Sequence, residues 1–243
     1  MILDIYKDAF EYSAKDWKAL IVLGVMCLFS FLIIPAFLIA GYGYRVENTA
    51  VHGIINGNDP LPEFDDIFEM FIEGVKVFLV QIAYLLVPMI LFILVVAIAG
   101  SIDGSVGGAV FIIGGLITFV VGIIACLMAQ IGICHMAYND GAFSKAFAIS
   151  EIREVLNDIG WLKCLTTYAG LIIITLILSC AVTAIIGIIF TVLGITGGML
   201  GANAGGIFVL GTFINSLVTM FIVGPYLSIF NTRSIGLLYT MQI

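Results

Sequence analysis

The stretch Cys164–Thr232, CLTTYAGLIIITLILSCAVTAIIGIIFTVLGITGGMLGANAGGIFVLGTFINSLVTMFIVGPYLSIFNT, decides the fold. Its 69 residues contain no Asp, Glu, Lys or Arg. A helical span needs roughly 20 apolar residues to cross about 30 Å of hydrocarbon, so this run must hold two crossings. The Gly-rich segment from Gly197 to Gly206 divides it, giving a helical hairpin over residues 162–232.

Two further apolar blocks follow the same rule. Residues 77–136 hold Asp103 as their single charge, and the short link Gly100–Ser105 splits them into another hairpin. Residues 19–44 form an uncharged run of 26, with Pro35 inside it. The whole chain is 62% hydrophobic and 10% charged, with a mean hydropathy of +1.23. A soluble domain is nearer 45–50% apolar and about 25% charged, because its surface-to-volume ratio demands polar cover. The chain therefore reads as an all-α, polytopic membrane protein with about five hydrophobic membrane helices.

Amphipathic segments precede the apolar blocks. Residues 1–18 place Ile2, Ile5, Tyr6, Ala9, Phe10 and Trp17 on one face. Residues 62–76 set Phe64, Ile67, Phe68, Phe71, Ile72 and Val75 against Asp65, Asp66, Glu69 and Glu73. Residues 142–160 oppose Phe143, Phe147, Ile152, Val155, Leu156 and Ile159 to Lys145, Glu151, Arg153, Glu154 and Asp158. The 3.6-residue period predicts three interfacial helices. A shift of 98 superposes Gly107-Gly108 on Gly205-Gly206, and a shift of 86 superposes Gly74 on Gly160. These offsets point to an internal repeat of hairpins in the same orientation, with a shortened copy at the front.

Basic residues set the orientation. The loops near 100–105 and 196–205 carry none and are expected outside the cell membrane. Segments 45–76 and 137–163 carry Arg45, Lys76, Lys145, Arg153 and Lys163 and are expected in the cytoplasm. The first block gives two answers. Its 26 residues span about 39 Å as a helix, enough for one crossing and too few for two. Yet Lys7, Lys15 and Lys18 stay on the cytoplasmic side only if the chain re-enters with a bend at Pro35. The N-terminal charges precede an apolar run too long for a signal peptide, so the first block is expected to remain in the protein.

Candidate functional residues are the polar groups in or beside the spans: Arg45, Gln81, Gln130, His135, Asn215 and Arg233. An ionisable group in hydrocarbon costs at least about 2.5–3.5 kcal/mol, so each needs a reason. Arg45 and Arg233 read as snorkelling or headgroup-contacting residues at cytoplasmic helix ends. His135 reads as an interfacial hydrogen bonder or a proton relay. Pro35, Pro88 and Pro225 mark kinks or broken helices. The G-x-x-x-G spacings at Gly100/Gly104/Gly108 and Gly197/Gly201/Gly205 straddle predicted turns and read as flexible links.

Other chemistries lack their patterns. The five cysteines form no C-x-x-C pair, and two histidines cannot complete a three-histidine metal site. No H-E-x-x-H, G-x-S-x-G or phosphate-loop motif occurs, so no catalytic residue, cofactor or metal is assigned. Seven acids between Arg45 and Lys76 form an acidic, solvated face that repels nucleic acid.

Several of these residues also carry a family resemblance. Asp16-Trp17-Lys18 precedes the first apolar run, and Gly41-Tyr42-Gly43-Tyr44-Arg45 ends it. Asn56-Gly57, Leu61-Pro62-Glu63-Phe64-Asp65-Asp66, Gly74-Val75-Lys76 and Tyr84-Leu85-Leu86-Val87-Pro88 follow. Together they resemble the archaeal multi-pass membrane family named domain of unknown function 4013. Family members often carry Trp where this chain has Phe64. The resemblance implies a multi-pass membrane location and an archaeal, methanogen-like source; it implies no activity. The residues themselves suggest a non-enzymatic membrane protein acting through the lipid bilayer and a membrane or cytoplasmic protein partner. The alternative is a small-molecule or lipid transporter with its site between the repeated hairpins.

Overall fold

The computed structural model describes residues 2–242, and among them there is no β-strand. The elements are α1 (Ile2–Ser13), α2 (Trp17–Leu28), α3 (Ile33–Val51), α4 (Ile67–Gly100), α5 (Gly104–Tyr138), α6 (Ile149–Ile159), α7 (Trp161–Met199), α8 (Ala204–Val218) and α9 (Gly224–Tyr239). A π-helical turn, Thr219–Val223, joins α8 to α9, so residues 204–242 run as one long rod. Four helices are long and apolar enough to cross a membrane: α4, α5, α7 and the α8–α9 rod. The fold is that of a polytopic helical membrane protein.

The first apolar block differs from a fifth straight helix. It breaks at Phe29–Leu32 into α2 and α3, and α3 leads back to where α2 began. Tyr12, Ala19, Leu20 and Leu23 share a buried cluster with Leu38, Tyr42, Val46 and Met70. Pro35 sits in the first turn of α3, where a missing N–H leaves no helical bond unmade. At 12 residues, α2 is about 18 Å long, well short of the hydrocarbon thickness.

The second amphipathic segment also differs from a separate helix. Residues 67–76 form the first turns of α4, continuous with the apolar part that follows. Nothing in the sequence Gly74-Val75-Lys76-Val77 breaks the backbone ladder, so one helix serves both the polar layer and the span. By contrast α6 and α7 are separate, because Gly160 turns the chain at φ +96°.

Packing divides the molecule into a dense base and two long arms. The base gathers α1, the 52–66 loop, α3, α6, α9 and the adjoining ends of α4, α5 and α7. The arms are the α4–α5 hairpin and the hairpin of α7 with α8. The most apolar 18-residue window of α7 has no residue buried within the protein. The turns of both arms are glycine-bearing: Gly104 has φ +75° and Gly201 φ +84°.

Two close approaches fix the α2–α3 hairpin in place. Gly41 and Gly74 cross so tightly that a Cβ on Gly41 would lie within 1.9 Å of the Met70 carbonyl oxygen. A Cβ on Gly74 would lie within 1.8 Å of the Phe37 carbonyl oxygen. Elsewhere, Pro225 has no N–H to offer the Phe221 carbonyl four residues back. Gly24 of α2 packs at this carbonyl, where a Cβ would come within 2.7 Å of the oxygen.

Gly74→Ala is expected to destabilise the protein by about 1–3 kcal/mol, since backbone cannot step aside as a side-chain tip can. Gly187→Ala, with nothing within 4 Å of the new methyl, is expected to be neutral or mildly stabilising. Thermal unfolding of both variants in the same detergent measures the contrast.

Candidate functional site

Three polar clusters tie the base together. Arg233 on α9 is wholly buried. Its Nε donates to Asp8 Oδ1 of α1 at 2.9 Å, and its Nη2 donates to Asp59 Oδ2 of the loop at 2.8 Å. The guanidinium also lies over the Tyr12 ring, 4.4 Å from its centre. Asp8 uses its second oxygen to accept from the Asn56 backbone N–H at 2.6 Å. Three separate chain segments are thereby pinned to one cation.

Arg45 on α3 does the same for the start of α4. Its Nε donates to Glu73 Oε2 at 2.7 Å, and its Nη1 donates to the side chain and backbone carbonyl of Asp65, each at 2.8 Å. The snorkelling expected of the two arginines is therefore replaced by internal pairing. Sequence position placed them at helix ends, but the acids they meet come from elsewhere in the chain: Asp8 on α1, Glu73 on α4, and Asp59 and Asp65 in the 52–66 loop.

His135 forms the third cluster. One ring nitrogen, Nδ1, lies 2.6 Å from the Tyr239 hydroxyl, and Nε2 lies 2.8 Å from Glu151 Oε2. Lys145 donates to both oxygens of Glu151, at 2.9 and 2.8 Å. Hydrogen bonds from Lys145 first, then His135, hold the Glu151 carboxyl below its ordinary range. The chain Lys145–Glu151–His135–Tyr239 joins α6, α5 and α9.

Just beneath this ionic layer lies a cavity of about 310 Å³ among α3, α4, α5 and α9. Glu47, Gln81, Gln130, Ser228, Asn231 and Thr232 supply polar lining, and Tyr44, Gly43 and aliphatic side chains supply the rest. A second cavity of about 300 Å³ adjoins it on the α7 side and shares Gln130, Asn231 and Ile235. There Thr175 Oγ1 donates to Asn231 Oδ1 at 3.3 Å. Gln81 and Gln130 have no hydrogen-bond partner among the described residues.

Glu47 is the unexpected member. It is 3% exposed, lies on α3 outside the four long spans, and has no ion-pair or hydrogen-bond partner among the described residues. Burial pushes its carboxyl up to about 8. The acidic, solvated face read from residues 45–76 is thus not one face. Glu47 is buried, Asp59 and Glu73 are paired with arginines, and Asp65 is shared with Arg45. A sequence signal existed: Ala36, Ala40, Gly43 and Glu47 recur at helical spacing on an otherwise small or apolar face.

The six sequence-selected residues fall into different places. Gln81 and Gln130 meet in the cavity; Arg45, His135 and Arg233 sit in the three clusters above it. Asn215 lies away from both, on α8, where its Oδ1 is buried without a partner among the described residues. Among the described residues no three His, Cys, Asp or Glu side chains converge as metal ligands do.

A charged base and four long apolar helices, with a partly polar cavity among α3, α4, α5 and α9, define a helical membrane protein. The chain belongs to the family of proteins of unknown function DUF4013, whose sequence profile matches residues 28–190. It is similar to Uncharacterized protein MJ1189 of Methanocaldococcus jannaschii, at 31% identity over 139 residues. That alignment covers 55% of this chain and 46% of the relative, so the chain spans less than half the length of the relative it matches. No solved structure matches it. The family region includes Arg45, Glu47, Gln81, Gln130 and His135, and excludes Asp8, Asn231 and Arg233.

Removing one partner of a buried ion pair strands the other charge, at a cost of about 3–5 kcal/mol. Arg233→Met is expected to lose that much stability. Combining it with Asp8→Asn should recover part of the loss, because the orphaned carboxylate is removed. A double-mutant cycle by denaturant titration in micelles measures the coupling.

Proposed function

We propose that this protein is a non-enzymatic, solute-binding membrane protein of the transporter type, with its site in the cavity between the hairpins. The observation that carries this reading is the cavity itself. A bundle that only scaffolded partners would gain stability by filling that space with apolar side chains, since voids and unpaired amides both cost free energy. Here Gln81 and Gln130 instead turn unpaired amides toward shared space with Asn231. The site is not at mid-membrane. Gln81 lies about 7 Å along α4 from Lys76, the last charge before the apolar part. It is a vestibule next to the polar base.

The base is proposed to face the cytoplasm. It collects Lys7, Lys15, Lys18, Arg45, Lys76, Lys145, Arg153 and Lys163, whereas the turns at Ser101–Asp103 and Leu200–Asn203 hold no Lys or Arg. With α2–α3 as a re-entrant hairpin, the N-terminal lysines join the same side, and the conflict between length and charge disappears. Repeated hairpins around a shared site suit alternating access. The scaffold reading draws on the bare apolar arms, but lipid covers such surfaces as readily as a protein partner does.

A hydrated cavity is reachable by small water-soluble reagents. In Gln81→Cys protein reconstituted in nanodiscs, a hydrophilic methanethiosulfonate is expected to modify residue 81, read by peptide mass mapping. Cysteine placed at the lipid-facing position Ile93 serves as the unreactive control. Absence of modification at residue 81 would mean a dry, closed bundle and would favour the scaffold.

A further inference from the structure

We propose that the cavity beside Glu47 binds a small organic monocation, with the Glu47 carboxylate as its counter-charge. This rests on the solute-binding reading and names the class of solute. The argument begins with the missing partner. A buried carboxylate is costly in a low dielectric unless a proton or a cation neutralises it.

Among the described residues no cation pairs with Glu47. Arg45 is committed to Glu73 and Asp65, and Arg233 to Asp8 and Asp59. Lys145 is committed to Glu151, and Lys76 reaches the Gly141 carbonyl at 3.4 Å. The charge at Glu47 is left for something that enters. One carboxylate balances one positive charge. A bare divalent ion wants six or more oxygen ligands with several carboxylates, and among the described residues no such group converges here.

The walls describe the rest of the ligand. The amide and hydroxyl oxygens of Gln81, Gln130, Asn231 and Ser228 accept N–H bonds, while Ala40 and Val77 contact an apolar body. A volume of about 310 Å³ suits a compact organic molecule better than a bare ion. Where Glu47 holds a proton, entry of the cation competes with it, so binding there releases one proton. The titratable groups facing Glu47 are Tyr44 on its own helix and Cys134 on α5. The parts of α4 and α9 lining the cavity, Val77, Gln81, Ser228, Asn231, Thr232 and Ile235, are neutral.

Charge selectivity at a reporter cysteine tests this directly. In full-length Gln81→Cys protein in nanodiscs, modification rates are compared for the trimethylammonium-ethyl and the sulfonato-ethyl methanethiosulfonates. Each rate is divided by that reagent's rate with a free small thiol at the same pH, which removes the cation's intrinsic advantage toward a thiolate. With Glu47 ionised at about pH 9, the cationic reagent should then react at least about tenfold faster, a modest demand for a charge lining the same cavity. That ratio should fall toward unity at about pH 6, where Glu47 holds its proton, and in the added Glu47→Gln variant at either pH. Equal rates at the higher pH, a preference for the anion, or a preference that survives Glu47→Gln would overturn the cation assignment while leaving a hydrated cavity standing. Failure of both reagents would remove the solute site altogether. Should Glu47→Gln not fold, the two-pH comparison on the unaltered Glu47 background decides the matter.

Discussion

A charge taken out of water must find an opposite charge or lose its own, and the architecture of this protein follows from that constraint. Arg233 shows it most clearly. Its guanidinium is wholly buried, so Asp8 and Asp59 must come to it. Bringing Asp8 lays α1 against α9, and bringing Asp59 folds the 52–66 loop over the same end of the bundle. Arg45 then draws Glu73 and Asp65, which fixes where α4 begins relative to α3. With α1 and the end of α3 both held at the base, the chain between them must go in and come back. The α2–α3 hairpin is the result, and the glycine crossing at Gly41 and Gly74 gives it room.

The same constraint explains why the polar and apolar parts separate so sharply. Ion pairs and the Lys145–Glu151–His135–Tyr239 chain occupy one end, while the arms extend from it without Asp, Glu, Lys or Arg except Asp103 at a turn. Lipid is the solvent for the arms, which is why their most apolar windows are at most 17% buried within the protein. Where the two parts meet, the cavity opens. Glu47 stands there as the exception to the pairing rule, and that exception is what makes the site functional in this account.

Much of this was legible in the sequence because hydropathy and charge are local properties. The uncharged runs marked four long helices, and Gly160 and the glycines near 104 and 201 fall where the chain turns. The break at Phe29–Leu32 was less visible: those residues are apolar, and Pro35 drew attention three residues too far along. The continuity of 67–76 with α4 was hidden because an amphipathic period and an apolar run are both helical and differ only in what surrounds them. Partners were hidden most deeply. Arg233 and Asp8 are 225 residues apart, and nothing local signals their meeting. Gln81 and Gln130 stood out as lone polar groups, whereas Glu47 was masked by six other acids that turned out to have different surroundings.

Glu47 gives the account its sharpest test. Burial pushes its carboxyl up from an ordinary 4.5 to about 8. Between those values the unfolded chain has released a proton that the folded protein keeps, so stability falls as pH rises, by up to about 1.4 kcal/mol per pH unit, and levels off above the upper value. The decisive measurement is the thermal stability of wild type and Glu47→Gln in one detergent across this range. The account predicts near coincidence at the acid end and a variant that becomes progressively more stable than wild type toward about pH 8. A variant that is equally or less stable there would mean that Glu47 is already paired or solvated, and the central claim would fail.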